Sequence, residues 1–209
     1  MTSQELVRTR RVVHRIAAHV LGRRRYQVAG RFGLRASPAG LATPAFGEGP
    51  EVLRLAGTHL VREGPDGTAF MPVPGSSLRQ LARFVDADLD VKFSVGADTP
   101  DIGDPDEVID VDPSALAALA AWLDLAWRVL DDVVAGLGPA AEPAVLQLWP
   151  EHLDAGTNVA VGPEQRVNLG FSPGDDPRPR VPHPRTASRP GRCSGMRAAA
   201  GRGRRVNRA

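Results

Sequence analysis

The chain has 209 residues, 42% hydrophobic and 24% charged, with a formal net charge of +2. That length fits one domain with a real core, and a single cysteine, Cys193, excludes an intrachain disulfide and a cysteine-built zinc site. The small net charge averages two unlike pieces, because residues 177–209 hold ten Arg and no acid while residues 1–176 hold 16 bases against 24 acids.

Thr2 and Glu5 match a capping box that opens a basic helix, with Leu6, Val13, Ile16, Ala17 and Val20 on one stripe and Gly22 as its expected stop. Within it the run VVHRIAAHVL is short and broken by His14, Arg15 and His19, so it reads as neither a signal-peptide core nor a membrane span. Together with the lone cysteine, this predicts a cytoplasmic protein without a membrane partner. YQVAGRFGLRASPAGLATPAFG follows as a hairpin of two strands, and EVLRLAGTHLVREGPDGTAFMPV as further strands with Pro65-Asp66-Gly67 at a tight turn. Ser77 with Gln80 caps a short helix in SSLRQLARFV, and LDVKFSV is the next expected strand. The acid-rich stretch 98–112 has little periodicity and reads as a loop.

Asp112-Pro113 opens the clearest element, a helix running to about Leu137. Leu116, Leu119, Leu123, Leu130, Val134 and Leu137 form one stripe; Trp122, Leu125, Val129 and Val133 form a second beside it. A helix apolar over that much of its girth is expected to be central and packed on a sheet. Two strands joined through Gly162-Pro163 complete the pattern. The prediction is a single α+β domain over residues 1–176, a mostly antiparallel sheet with the 113–137 helix across it and a basic N-terminal helix. Residues 177–209, rich in Arg, Pro, Gly and Ala, are predicted to be a disordered tail.

Charge is unevenly placed within the body as well. Residues 1–36 contain nine Arg and one Glu, and residues 37–176 contain 23 acids against seven bases. Internal complementarity, the basic helix lying over an acidic body, is the simpler reading. The alternative, phosphate contacts by Arg8, Arg11, Arg15 and Arg23 to Arg25, lacks a motif or interleaved aromatics.

The densest polar cluster is LWPEHLD with VNLGFSPGD on the following strand. If the residues after Pro150 are extended, His152 and Asp154 share one face, and a carboxylate-oriented His can act as a general base or half of a metal site. Glu151 then points the other way, Trp149 forms a wall, and Ser172 and Asp175 lie in a Pro-Gly turn that closes over the face. A metal would need a third ligand such as His59, and none is assigned; the acids of 86–112 miss the spacing of a calcium loop. GRFGLRASPAG lacks the Gly-Lys-Ser/Thr of a phosphate loop.

LQLWPEHLDAGTNVAV followed by RVNLGFSPGD resembles an uncharacterised family of high-GC bacterial proteins and, more remotely, a broader uncharacterised bacterial family with a Trp-Pro-x-x-x-Asp strand and a Gly-x-x-Pro-Gly-Asp strand, matched by Trp149, Pro150, Asp154, Gly170, Pro173, Gly174 and Asp175. The resemblance spans most of residues 10–175 and implies one continuous domain but no reaction or cofactor. It also implies a further strand rich in Tyr, Trp and Pro after Gly-Asp, where this chain instead carries its Arg-rich tail. That tail has two readings: an arm that binds nucleic acid without sequence preference at low salt, or translation in a neighbouring frame that replaces the usual C-terminal segment. In the second case the sheet should expose an unpaired edge and apolar surface. The expected function is binding of a small molecule or partner near 149–154 and 172–175. The alternatives are a hydrolase or isomerase using His152 and Asp154, and non-specific nucleic-acid binding through the tail and first helix.

Overall fold

The structure is a computed structural model that describes residues 2–95, 98–162 and 164–174. Asp175 and the tail predicted over 177–209 lie outside the described residues.

The first helix begins as expected. Thr2 accepts from the Glu5 amide while the Glu5 carboxylate accepts from the Thr2 amide, closing the capping box at the start of α1 (Ser3–Ile16). It does not stop at Gly22, and residues 26–29, expected at the start of the hairpin, are helical as well. A π-helical segment, Ala17–Gly22, carries it into α2 (Arg23–Ala29), and Gly30 ends it in the left-handed conformation at φ 63°. Gly22 serves close packing instead: a Cβ there would lie 2.6 Å from Cε2 of Phe32 and 2.9 Å from the Ala17 carbonyl. Its cost in helix propensity is offset by the contact with a buried aromatic ring.

Eight strands follow in two antiparallel groups. The first has the order β1 (Arg35–Ser37), β2 (Gly40–Ala42), β3 (Val52–Ala56), β4 (His59–Gly64) and β5 (Gly67–Pro72). The second is β6 (Gln147–Trp149), β7 (Asp154–Gly162) and β8 (Gln165–Phe171). Leu34 and Leu148 exchange both backbone hydrogen bonds, 2.7 and 2.8 Å, joining the two groups edge to edge beside β1 and β6. Among the described residues the array therefore reads β5-β4-β3-β2-β1-β6-β7-β8, with β5 and β8 as its outer strands.

Two capped helices lie with the sheet. Ser77 and Gln80 form the second capping box, opening α3 (Leu78–Phe84). Asp112 accepts from the Ala115 amide at 2.7 Å and Pro113 occupies the first turn of α4 (Pro113–Leu137). The predicted boundaries of α4 are those observed. Its Leu116, Leu119, Leu123 and Leu130 are buried, the first three in one core with Ile16, Leu21, Leu53 and Leu148. Each such side chain, moved fully out of water, contributes about 1.5–3 kcal/mol. The second stripe departs from expectation, because Leu125 and Val133 are 55% and 42% exposed, and the first stripe ends on Leu137 at 44%. By length and composition α4 is also long and apolar enough to cross a membrane.

LDVKFSV is not a strand. The Lys92 amide donates to the Asp90 carboxylate at 2.9 Å and the Phe93 amide to the Asp90 carbonyl at 3.0 Å, so the backbone bonds are spent in an Asx turn. Phe93 instead packs edge-on against Phe32 and beside Tyr26, with the Arg23 guanidinium 4.4 Å above its ring.

The basic helix does lie over acidic segments. Arg8 pairs with Asp110 at 3.0 Å, Arg15 with Glu107 at 3.6 Å, Arg23 with Asp88 at 3.1 Å and Arg24 with Glu51 at 3.1 Å. Arg79 grips Asp106 through two hydrogen bonds, 2.7 and 2.9 Å, which hold that carboxyl below its ordinary range.

Candidate functional site

The stretch expected to be one strand through His152 is a hairpin. Trp149 pairs with Asp154, and Pro150–Leu153 turns between them, the amides of His152 and Leu153 both donating to the Trp149 carbonyl at 3.2 and 2.8 Å. Pro150 cannot donate to a ladder, and Leu153 adopts φ 54°, a conformation that directs its side chain into the core. The alternation that would place His152 and Asp154 on one face therefore does not arise.

His152 Nδ1 instead lies 3.5 Å from the Asp98 carboxylate, both side chains open to solvent. The Glu151 carbonyl accepts from His14 Nε2 at 3.0 Å, and Glu151 Oε2 is buried with no hydrogen-bond partner among the described residues. His59 opens β4, with β1, β2 and β3 between it and β6. Ser172 Oγ accepts from the Gly174 amide at 3.1 Å, forming the expected turn. Since Ala155 pairs with Phe171, Ser172 comes next to Asp154 in register, which aligns Trp149, Asp154 and Ser172 across three strands. Those three of the expected residues are brought together; His152 and Glu151 are directed toward the loop at 98 and the first helix.

The face of β6–β8 turned away from α4 has its own organisation. Trp149 is 39% exposed, and a Cβ on Gly156 would sit 3.9 Å from its indole Nε1. Gly156 pairs with Gly170, so the indole rests at the rim of a flat glycine floor. The glycines are required by close strand approach: a Cβ on Gly156 would lie 3.2 Å from the Leu169 carbonyl oxygen, and one on Gly170 would lie 3.1 Å from that of Ala155. Beyond the floor, Asn158 donates to Asn168 at 2.6 Å, and Arg166 donates to the Asn158 side chain and to the Glu142 carbonyl at 2.7 Å. Asn158, Asn168 and Arg166 were not expected as site residues, although their alternation with apolar Val159, Val167 and Leu169 is the signal that placed them together.

A second polar junction lies where the first helix meets the loop at 98–104. His19 is 3% exposed and its Nε2 bonds to the Pro100 carbonyl at 2.7 Å, which requires the donor N–H on that nitrogen. Burial foremost, then Arg15 and Arg23, push its pKa below the ordinary 6.5, against the bond to Pro100 and the charge of Asp101. Like Phe93, this histidine belongs to the framework.

A cleft of about 40 Å³ between Arg8, Arg15 and Glu107 and one of about 10 Å³ between Gly40 and Leu123 have room for little beyond water. Among the described residues no group of three or more His, Cys, Asp or Glu is placed to hold a metal ion. The outer face of β6–β8 offers an exposed indole for stacking and fixed side-chain amides for hydrogen bonding. No family model, no curated protein and no solved structure matches this chain.

Proposed function

We propose that this protein is a binding module that receives a small molecule or partner on the outer face of β6–β8, with Trp149 as the principal contact. The observation that carries the reading is the half-exposed indole set beside the Gly156–Gly170 floor, next to the cross-linked Asn158, Asn168 and Arg166 side chains. A rigid aromatic flanked by fixed amides loses little conformational entropy on binding, and it favours a ligand with one flat or apolar face and polar groups at its edge. Against catalysis by a His152–Asp154 pair stands the partner of His152, which is Asp98 on an exposed loop.

Amide and indole N–H spectra of the labelled protein, titrated with a library of planar aromatic and saccharide fragments, test this. Shifts should gather on the Trp149 indole and on the amides of Gly156, Asn168 and Gly170, and vanish in Trp149→Ala. Shifts gathered on His152 and Asp98 and indifferent to Trp149→Ala would defeat the proposal.

A further inference from the structure

The polar side chains beside the glycine floor carry a direction. Arg166 reaches from β8 across the outer face of β7: its Nε donates to Asn158 Oδ1, and its Nη2 to the Asn158 and Glu142 carbonyls at 3.0 and 2.7 Å. A guanidinium only donates, so the atom of the Asn158 amide that meets Nε is its oxygen. The Asn158 nitrogen then faces the other way and donates to Asn168 Oδ1 at 2.6 Å. Strand register supports this contact. Asn158 pairs with Asn168 while its carbonyl accepts from Ala144, away from β8, so the two form the narrow kind of pair whose side chains lie closest.

The relay ends on Asn168 Nδ2, which has no acceptor among the described residues. Asn168 is exposed, and the bonds behind it lead back to a cation, which polarises each amide in turn and strengthens the last donor. The space beside it is open. Gly156 and Gly170 form the row next to Asn158 and Asn168, and Trp149, Asp154 and Ser172 line its far side. Its chain neighbours apart, a Cβ on Gly170 would meet no side-chain atom of the described residues within 4 Å. The side-chain atom nearest a Cβ on Gly156 is the Trp149 indole nitrogen. Gln147, level with Gly156, turns its amide over Gly33 instead.

We propose that this face takes a planar aromatic carboxylate: the ring lies on the Gly156–Gly170 row against the Trp149 indole, and the carboxylate accepts from Asn168 Nδ2. The inference rests on the reading that Trp149 receives a ligand, and adds the chemistry of that ligand's polar edge. Asn168 stands one strand over and two residues along from Gly156, a diagonal of about 8 Å that one bicyclic ring covers. An ionised acceptor suits a cation-backed donor best, with a bond about twice as strong as a neutral one. A ligand presenting an ammonium at the same place would meet the Asn168 N–H groups donor to donor. Glu142 Oε2, 3.8 Å from Arg166 Nη1, offsets part of the guanidinium charge, so hydrogen-bond direction rather than net charge sets the selectivity.

In high salt, which suppresses attraction between anions and the Arg-rich residues 177–209, the labelled full chain is titrated with three probes that share one ring. Naphthalene carboxylate carries an ionised acceptor, naphthyl methyl ketone a neutral one, and naphthylmethylammonium only donors. The carboxylate should shift both the Trp149 indole N–H and the Asn168 side-chain amide protons. It should bind about tenfold or more tighter than the ammonium, with the ketone between. Asn168→Ala should remove that preference, and Asn168→Asp, which keeps an oxygen for Asn158 but no donor, should reverse it. Equal binding of the three probes at Trp149 overturns the proposal and leaves the Trp149 site standing, as does a preference that both variants retain. Silence at Trp149 with all three probes, while another fragment shifts it, also overturns the proposal alone; silence with every fragment overturns the Trp149 reading with it.

Discussion

His19 shows how a polar side chain can belong to a core without belonging to a site. Its imidazole is sealed between the first helix and the loop at 98–104, held by the Pro100 carbonyl and an edge-on Phe93 ring at 6.4 Å. Its folded pKa lies below 6.5, so at falling pH the unfolded chain takes up the proton first. The stability it contributes is therefore complete above about pH 6.5 and is lost as pH drops through and below that value. Melting temperatures measured from pH 8 down to pH 5 should fall across this window, and His19→Gln, which keeps a donor for Pro100, should flatten the curve there. Equal pH dependence in the two proteins would show that other groups govern acid sensitivity. The sequence displayed His19 openly, yet nothing local distinguished a histidine destined for burial from one at the surface. Its partner carbonyl lies 81 residues away.

At the level of elements, local chemistry was legible wherever a short-range rule decided the conformation. Both capping boxes, the Asp112-Pro113 start of α4 and the Gly64–Gly67 turn between β4 and β5 are local bargains between neighbouring residues. Errors arose where tertiary contacts overrode them: Gly22 continues a helix because Phe32 needs the space, and Leu153 turns a hairpin because the core needs its side chain. The same hairpin logic yields a prediction at β1–β2. Ala39 holds φ 61° in an exposed turn, and its carbonyl accepts from Gly57 at 2.8 Å. An alanine there carries about 1 kcal/mol of left-handed strain that glycine would not, offset in part by the greater entropy of glycine in the unfolded chain. Ala39→Gly should consequently raise unfolding stability by about 0.5 kcal/mol in urea with the m-value unchanged. A decrease would show that the turn is not strained. Of the candidate site, the alignment of Trp149, Asp154 and Ser172 follows from strand register, whereas the Asp98 contact of His152 joins segments that no local pattern connects.

For the whole molecule, electrostatics separates what the described residues can bind from what the Arg-rich sequence of residues 177–209 can bind. The Arg residues that would suit phosphate contacts are largely committed: Arg8, Arg15, Arg23 and Arg24 face Asp110, Glu107, Asp88 and Glu51, and Arg25 donates to the Gly33 carbonyl from a buried position. Releasing them to a nucleic acid would leave those carboxylates unpaired next to the added phosphates, a loss that counterion release must first overcome. The ten Arg of residues 177–209 have no acid among them in sequence. Nucleic-acid binding in low salt should therefore depend on that segment. A fluorescent single-stranded oligonucleotide titrated against the full chain should bind with a steep salt dependence, up to a slope of about −7 in log K against log salt if all ten charges engage. Removal of residues 177–209 should abolish this binding, while Arg8→Ala with Arg15→Ala should leave it within about threefold, because those side chains already serve the acidic loop. Retained, salt-sensitive binding after removal of the segment would transfer the interaction to the first helix and show that its ion pairs open more cheaply than their geometry implies.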